Sequence, residues 1–252
     1  ERTALSRALL YRKAIVENIP SVKVEILSQV FKLAREAGLF QLTARVYYDI
    51  LKTLPVTQDL VWFAPEAVRA LLAVGDVAAT QIWFDVIEAA ILDDEKIILI
   101  RDQLVPLARL SGQISNDDWN SIKIEKWWNA ETRSDKMAIN AELIYSRATL
   151  LYNLLEALGD KVPSDRWELL LDGPSRLTTV MPRSALWEIL NQATEEVKRA
   201  ETVLVALLVL GEAGPTQINP IVLRQVVVSL EKVGLKSEAR SLALEAAIVG
   251  GI

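Results

Sequence analysis

The sequence contains neither cysteine nor histidine. Disulfides, thiolate nucleophiles, zinc sites with sulfur or nitrogen ligands and imidazole acid–base catalysis are all excluded together. A cysteine-free chain suits the cytoplasm or a bacterial periplasm equally, so the compartment stays open. Glycine and proline are scarce, at 10 and 9 of 252 residues. An all-β protein would need more of both for its tight turns. The longest purely apolar run, Val203 to Leu210, falls far short of the ~20 residues that span a bilayer, so no membrane insertion is expected. A concentrated basic surface is missing as well. The net charge is -5, and the mild basic lean of Arg2, Arg7, Arg12, Lys13 and Lys23 reads as a solvated helix face. No nucleic-acid partner is expected without clustered phosphate-neutralising charge. The chain opens at Glu1 without a signal-like segment, as a processed or trimmed piece of a longer protein would.

What is present is ordinary globular material, 51% hydrophobic and 24% charged, patterned at helical spacing almost throughout. Between Ser21 and Ala37, Val24, Ile26, Leu27, Val30, Phe31 and Ala34 share one broad face, while Lys23, Glu25, Lys32 and Glu36 fall mostly elsewhere. Period-2 alternation is absent, and Val226–Val228 sits inside a longer helical pattern. Asn219-Pro220 is a strong helix start and Gly234 a natural stop, giving a closing pair of helices over 219–233 and 236–249. Ser115 with Asp118 resembles a capping box, and Ser164 is placed to cap the helix carrying Trp167. Pro20, Pro55, Pro65, Pro163 and Pro182 fall mostly at boundaries; Pro106 does not, and predicts a kink or break. The pattern resolves into about a dozen helices joined by short loops. The likeliest boundaries are Asp93–Glu95, Glu131–Asp135 and Asp172–Arg183.

Gly38, Gly75 and Gly112 sit at an equal spacing of 37 residues, each closing an apolar helical stretch. That period is one helical hairpin, a unit that buries its apolar face only by stacking on neighbours. After Gly38 come Thr43, Tyr47, Ile50 and Pro55; after Gly75 come Thr80, Phe84, Ile87 and, in place of proline, Leu92; after Gly234 come Ala239, Ala243 and Ala246. This series resembles the second helix of the tetratricopeptide (TPR) repeat. The family's first-helix Leu-Gly pair is missing, and its period is shorter. The resemblance implies an all-α fold, a right-handed superhelix of stacked antiparallel hairpins forming a single α-solenoid domain over 1–252. Its regular hairpins would cover about 21–112 and 219–250, with an irregular helical middle over 113–218.

Catalytic signatures are missing. Asp93-Asp94-Glu95 and Asp117-Asp118 fit the first turns of helices. Glu168 with Asp172, and Glu195-Glu196 with Lys198-Arg199, fit charged helix faces. Gly211-Glu212-Ala213-Gly214-Pro215 lacks the Lys-Ser/Thr of a phosphate-binding loop. No catalytic residue, metal or cofactor is expected. The aromatic residues are the better lead. Seven tryptophans are present, with neighbouring pairs at Tyr47-Tyr48, Trp62-Phe63, Trp83-Phe84 and Trp127-Trp128. Adjacent helical side chains point about 100° apart, so a pair is buried only in a helix covered on two sides. Packing accounts for most of these. Trp127 and Trp128 lie where the repeat fades, and with Tyr48 and Trp62 are the candidate anchors for a partner. The expected function is a non-catalytic scaffold binding a protein or extended peptide in a helical groove. The alternative is a helper or regulatory domain of a bacterial cell-envelope enzyme or machine, with self-association left open.

Overall fold

A computed structural model describes residues 4–91, 94, 96–115, 119–133, 137–174, 181–211 and 218–252. Among these residues the chain is all-α, with thirteen α-helices, a 3-10 helix and no strand. None of the helices is long and apolar enough to cross a membrane. The described residues form two compact units, Glu1–Leu104 and Val105–Ile252.

The first unit holds α1 (Ala4–Val16), α2 (Pro20–Glu36), α3 (Phe40–Lys52), a 3-10 helix over Gln58–Phe63, α4 (Ala64–Val74) and α5 (Val77–Ala90). Helix α2 starts at its proline and buries Val24, Ile26, Leu27, Val30, Phe31 and Ala34, the face its spacing predicts. Consecutive helices α1 to α5 pack on one another in turn. Phe31 lies 5.6 Å from Phe40 and 6.3 Å from Tyr47, ring centre to ring centre. Phe63 meets Trp83 edge-on at 6.0 Å. Each of these buried aromatics contributes roughly 1.5–3 kcal/mol of transfer free energy.

Helix α6 (Lys96–Ser111) carries the division between the units and contains Pro106. The helix continues through the proline, so of the kink or break expected there the break does not occur. Proline removes one amide donor from the ladder, and the rest of the helix tolerates the loss.

The second unit continues with α7 (Ser121–Arg133), α8 (Met137–Ala157), α9 (Ser164–Glu168), α10 (Ser184–Glu195), α11 (Arg199–Leu210), α12 (Pro220–Lys232) and α13 (Lys236–Val249). Helix α12 packs against α8, α10, α11 and α13. Asn219 caps it as expected, its side chain accepting from the Ile221 amide at 2.9 Å. Ser164 departs from expectation: the residue preceding α9 is Pro163, and no side chain caps that helix. Proline already supplies the extended entry, so Ser164 falls inside the first turn. The Ser115–Asp118 box lies partly outside the described residues.

The hairpin turns share one device. Gly38, Gly75, Gly112, Gly159 and Gly234 all adopt positive φ, between 65 and 90°. The residue after each glycine donates its amide to a carbonyl five positions back, as Asp76 does to Leu71 at 3.0 Å and Leu235 to Leu230 at 2.9 Å. This is the left-handed stop that satisfies helix-end carbonyls. Val197 does the same without being glycine, at φ 53° with Lys198 donating to Ala193 at 2.9 Å. It stands 37 residues before Gly234. The period therefore recurs inside the stretch read from sequence as irregular, where α10 and α11 form a hairpin of the same kind. In the hairpins after Gly38, Gly75, Val197 and Gly234 the second helix begins two residues past the stop.

A β-branched residue in the left-handed region costs roughly 1–2 kcal/mol, and Val197 is 58% exposed, so little packing is lost by shortening it. Val197→Gly is expected to stabilise the protein by about 1 kcal/mol, after glycine's own entropy cost. The readout is an upward shift of the urea midpoint; a downward shift would mean that the valine makes a contact worth more than the strain.

The repeat register is only partly as read. Tyr47, Ile50, Thr80, Ile87, Ala239, Ala243 and Ala246 are buried. In the first two hairpins the inward positions shift by one residue, to Ala44 instead of Thr43 and Trp83 instead of Phe84.

Candidate functional site

Helix α1 is held loosely for its composition. Of its residues only Ala14 is buried, while Leu5, Leu9, Ile15 and Val16 are exposed. It packs on α2 and α3, and the three helices leave a groove of about 350 Å³. Val30, Leu33 and Ala34 of α2 line it, with Leu10 and Tyr11 from α1 and Leu42, Val46 and Tyr47 from α3. Leu42 and Val46 lie one turn apart on α3 and are 60% and 58% exposed. Positions 40, 44, 47 and 51 of that helix already supply its buried face, so nothing in the fold requires leucine and valine on the next stripe. Isolated exposed apolar residues are normal; a run of them lining a concavity marks a binding surface.

Tyr11 meets Tyr47 edge-on at 5.3 Å. Burial, with a smaller push from Tyr11, raises the Tyr47 hydroxyl to about 12, which keeps it neutral at physiological pH. Among the described residues, the only charged one on the lining is Arg7. Helix α1 carries Arg7, Arg12 and Lys13 and no acidic residue. None of these three cations has an ion-pair partner among the described residues. The volume lies within the ~300–1,000 Å³ of ordinary ligand pockets, but its polar groups among the described residues are few, Arg7 and the hydroxyls of Tyr11, Thr43 and Tyr47, on a mostly aliphatic wall.

A second cavity, about 470 Å³, opens in the second unit beside Tyr145, Asn153 and Trp167. Its charges are already matched inside the protein. Arg147 pairs with Glu131 at 3.0 Å, Arg224 pairs with Glu156, and Trp167 Nε1 donates to Glu156 at 3.1 Å. That leaves it less available to a partner than the groove on α1 to α3.

Comparison with known protein families, characterised proteins and solved structures returns no match. The assignment of a site therefore rests on geometry.

None of the four aromatic residues singled out from sequence lines the groove. Trp127 is fully buried and Trp128 is 9% exposed, so neither candidate anchor of this pair stands open to solvent in the free chain. Trp127 packs edge-on to Tyr152 at 6.4 Å and Trp128 to Tyr145 at 5.5 Å. Helix α8 thus covers both faces of α7 that the adjacent tryptophans occupy. Tyr48 is half-buried; its hydroxyl donates to Asp76 at 2.6 Å, and Lys52 Nζ sits 5.1 Å from its ring centre. Asp76 in turn caps α5, accepting from the Ala79 amide at 3.0 Å, so Tyr48 ties α3 to the start of α5. These two hydrogen bonds hold the Asp76 carboxyl below its usual range, the backbone bond from Ala79 most strongly. Trp62 is 49% exposed, its ring against Phe63 at 6.0 Å, and is the one tryptophan of the four candidates open to solvent.

Of the acidic clusters, Asp93, Glu95, Asp117 and Asp118 lie outside the described residues. Asp94 accepts from the Lys96 amide at 2.9 Å, at the start of α6. The groove is walled mainly by aliphatic side chains, which carry no signature of their own in the sequence. Its signal is in the segment after Gly38, where Leu42 and Val46 add apolar side chains beyond one helical face.

Proposed function

We propose that this chain is a non-catalytic scaffold, an α-solenoid of tetratricopeptide-like hairpins, that holds an apolar segment of a partner protein in the groove between α1 and α3. The observation that carries this reading is Leu42 and Val46 standing solvent-exposed on the wall of a ready-formed apolar concavity. Recurrent left-handed stops at a 37-residue interval support the repeat architecture. The lack of histidine and cysteine supports a role without chemistry, metal or cofactor.

A photo-crosslinking residue placed at position 46, and in a control at the exposed Ile122, tests the site in the source cell. A defined protein adduct formed at 46 and not at 122 is expected. Equal labelling at both positions, or none at 46, would remove the groove as the binding site. Leu42→Asp with Val46→Asp should abolish the adduct while leaving the helical circular dichroism unchanged, since both positions are exposed.

A second reading, a self-associating structural or helper subunit, draws on α11. Leu204, Leu207 and Leu208 form an exposed stripe there, each 61–63% accessible, on a helix whose other side already buries Val205, Ala206 and Val209. A helix apolar all round is covered on both sides. Concentration-dependent sedimentation separates this reading from the first.

A further inference from the structure

We infer that the occupant of the α1–α3 groove is an acidic amphipathic helix of a partner protein. This rests on the groove being the binding site, and it adds the shape and charge of what binds.

The shape follows from the walls. Two helices flank the groove and a third floors it, the seat that a further helix fills in a bundle. Leu42 and Val46 repeat at one helical turn, and such a row accepts anchors spaced i, i+3/i+4 and i+7 on an incoming helix. An added strand has nothing to pair with among the described residues, which contain no sheet. A polyproline segment would need open aromatic faces. Here Tyr47 is 4% exposed and closed off by Tyr11.

The charge follows from α1. Arg7 lines the groove, and Arg12 and Lys13 follow on the same helix, with no carboxylate on α1 to answer them. On the exposed side of α3, Arg45 and Asp49 balance each other. Among the described residues, nothing acidic lines the groove. An apolar segment with carboxylates along its outer edge gains complementary charge and faster encounter, and a basic segment is repelled.

The test is selection of a random peptide display library on the whole immobilised chain, with the Leu42→Asp/Val46→Asp variant used to discard peptides that bind elsewhere. Enriched groove-dependent peptides should carry an excess of Asp and Glu around an i, i+3/i+4, i+7 apolar row. Their affinity should fall at least about tenfold on the Arg7→Glu/Arg12→Glu/Lys13→Glu variant, and should weaken with added salt. Circular dichroism on that variant checks that these exposed reversals leave the fold intact. Groove-dependent peptides that are neutral or basic would overturn the acidic class and leave the binding site standing. Enrichment of nothing that depends on the groove would overturn both. Anionic phospholipid vesicles that bind through the groove and displace the peptides would also overturn the inference, in favour of a lipid surface.

Discussion

Asp160→Asn is expected to destabilise the second unit by about 3–5 kcal/mol. Asp160 follows the left-handed Gly159 and receives three hydrogen bonds from Arg109 of α6. Two come from Nε at 2.9 and 3.1 Å and one from Nη2 at 2.8 Å. Both side chains are sealed, at 2% and 4% exposure. Arg109 Nη1 also donates to the Ile114 carbonyl at 3.0 Å, closing the turn around Gly112. Neutralising the carboxylate weakens three of the hydrogen bonds that hold the buried Arg109 guanidinium. The cost comes mainly from a buried cation that has lost its paired carboxylate at 160, so Arg109→Met/Asp160→Leu should be less damaging than Asp160→Asn alone. Urea unfolding followed by tryptophan fluorescence measures both. A loss below about 1 kcal/mol for Asp160→Asn would mean that water reaches the pair.

Trp127→Ala is expected to cost a similar 3–5 kcal/mol, and Trp62→Ala no more than about 0.5 kcal/mol. Trp127 heads the largest fully buried side chains among the described residues. It stacks edge-on with Tyr152, which meets Trp167 in the same way at 5.4 Å. Removing the indole opens a cavity that helices α7 and α8 cannot close. Among the described residues the Trp127 indole N–H has no hydrogen-bond partner, so Trp127→Phe should recover most of the loss: it keeps the ring contact and deletes an unsatisfied donor. Thermal melts of the three variants separate these outcomes. Near-wild-type stability for Trp127→Ala would return this residue to the list of partner anchors.

The fold class was legible because helical periodicity and stop signals are local. The face of α2, the cap at Asn219 and the limits of α13 all follow from residues within a turn or two of one another. The hairpin ending at Val197 was not legible, because its left-handed stop is enforced by the packing of α10 and α11 and no glycine announces it. The Arg109–Asp160 pair joins residues 51 apart, and neither residue carries a mark that distinguishes it from an ordinary surface charge. The candidate site failed to show for a related reason. Adjacent tryptophans look like a binding signature, yet two adjacent helix faces can both be covered by a single long neighbour, as α8 does. The groove is walled mainly by aliphatic residues whose significance depends on what does not cover them.

The hairpin stops bear on how the chain acquires its structure. Each is closed by hydrogen bonds reaching back five residues or fewer, so it needs no distant partner and can form within the microsecond range of local structure. The packing of α8 on α12 joins segments far apart in sequence, and the entropy of closing that loop must be met before the contact gives anything back. Hairpins are therefore early products and the α8–α12 seam a late one. A chain halted before Pro220 holds its turns but presents the apolar flank of α8 to whatever else is nearby.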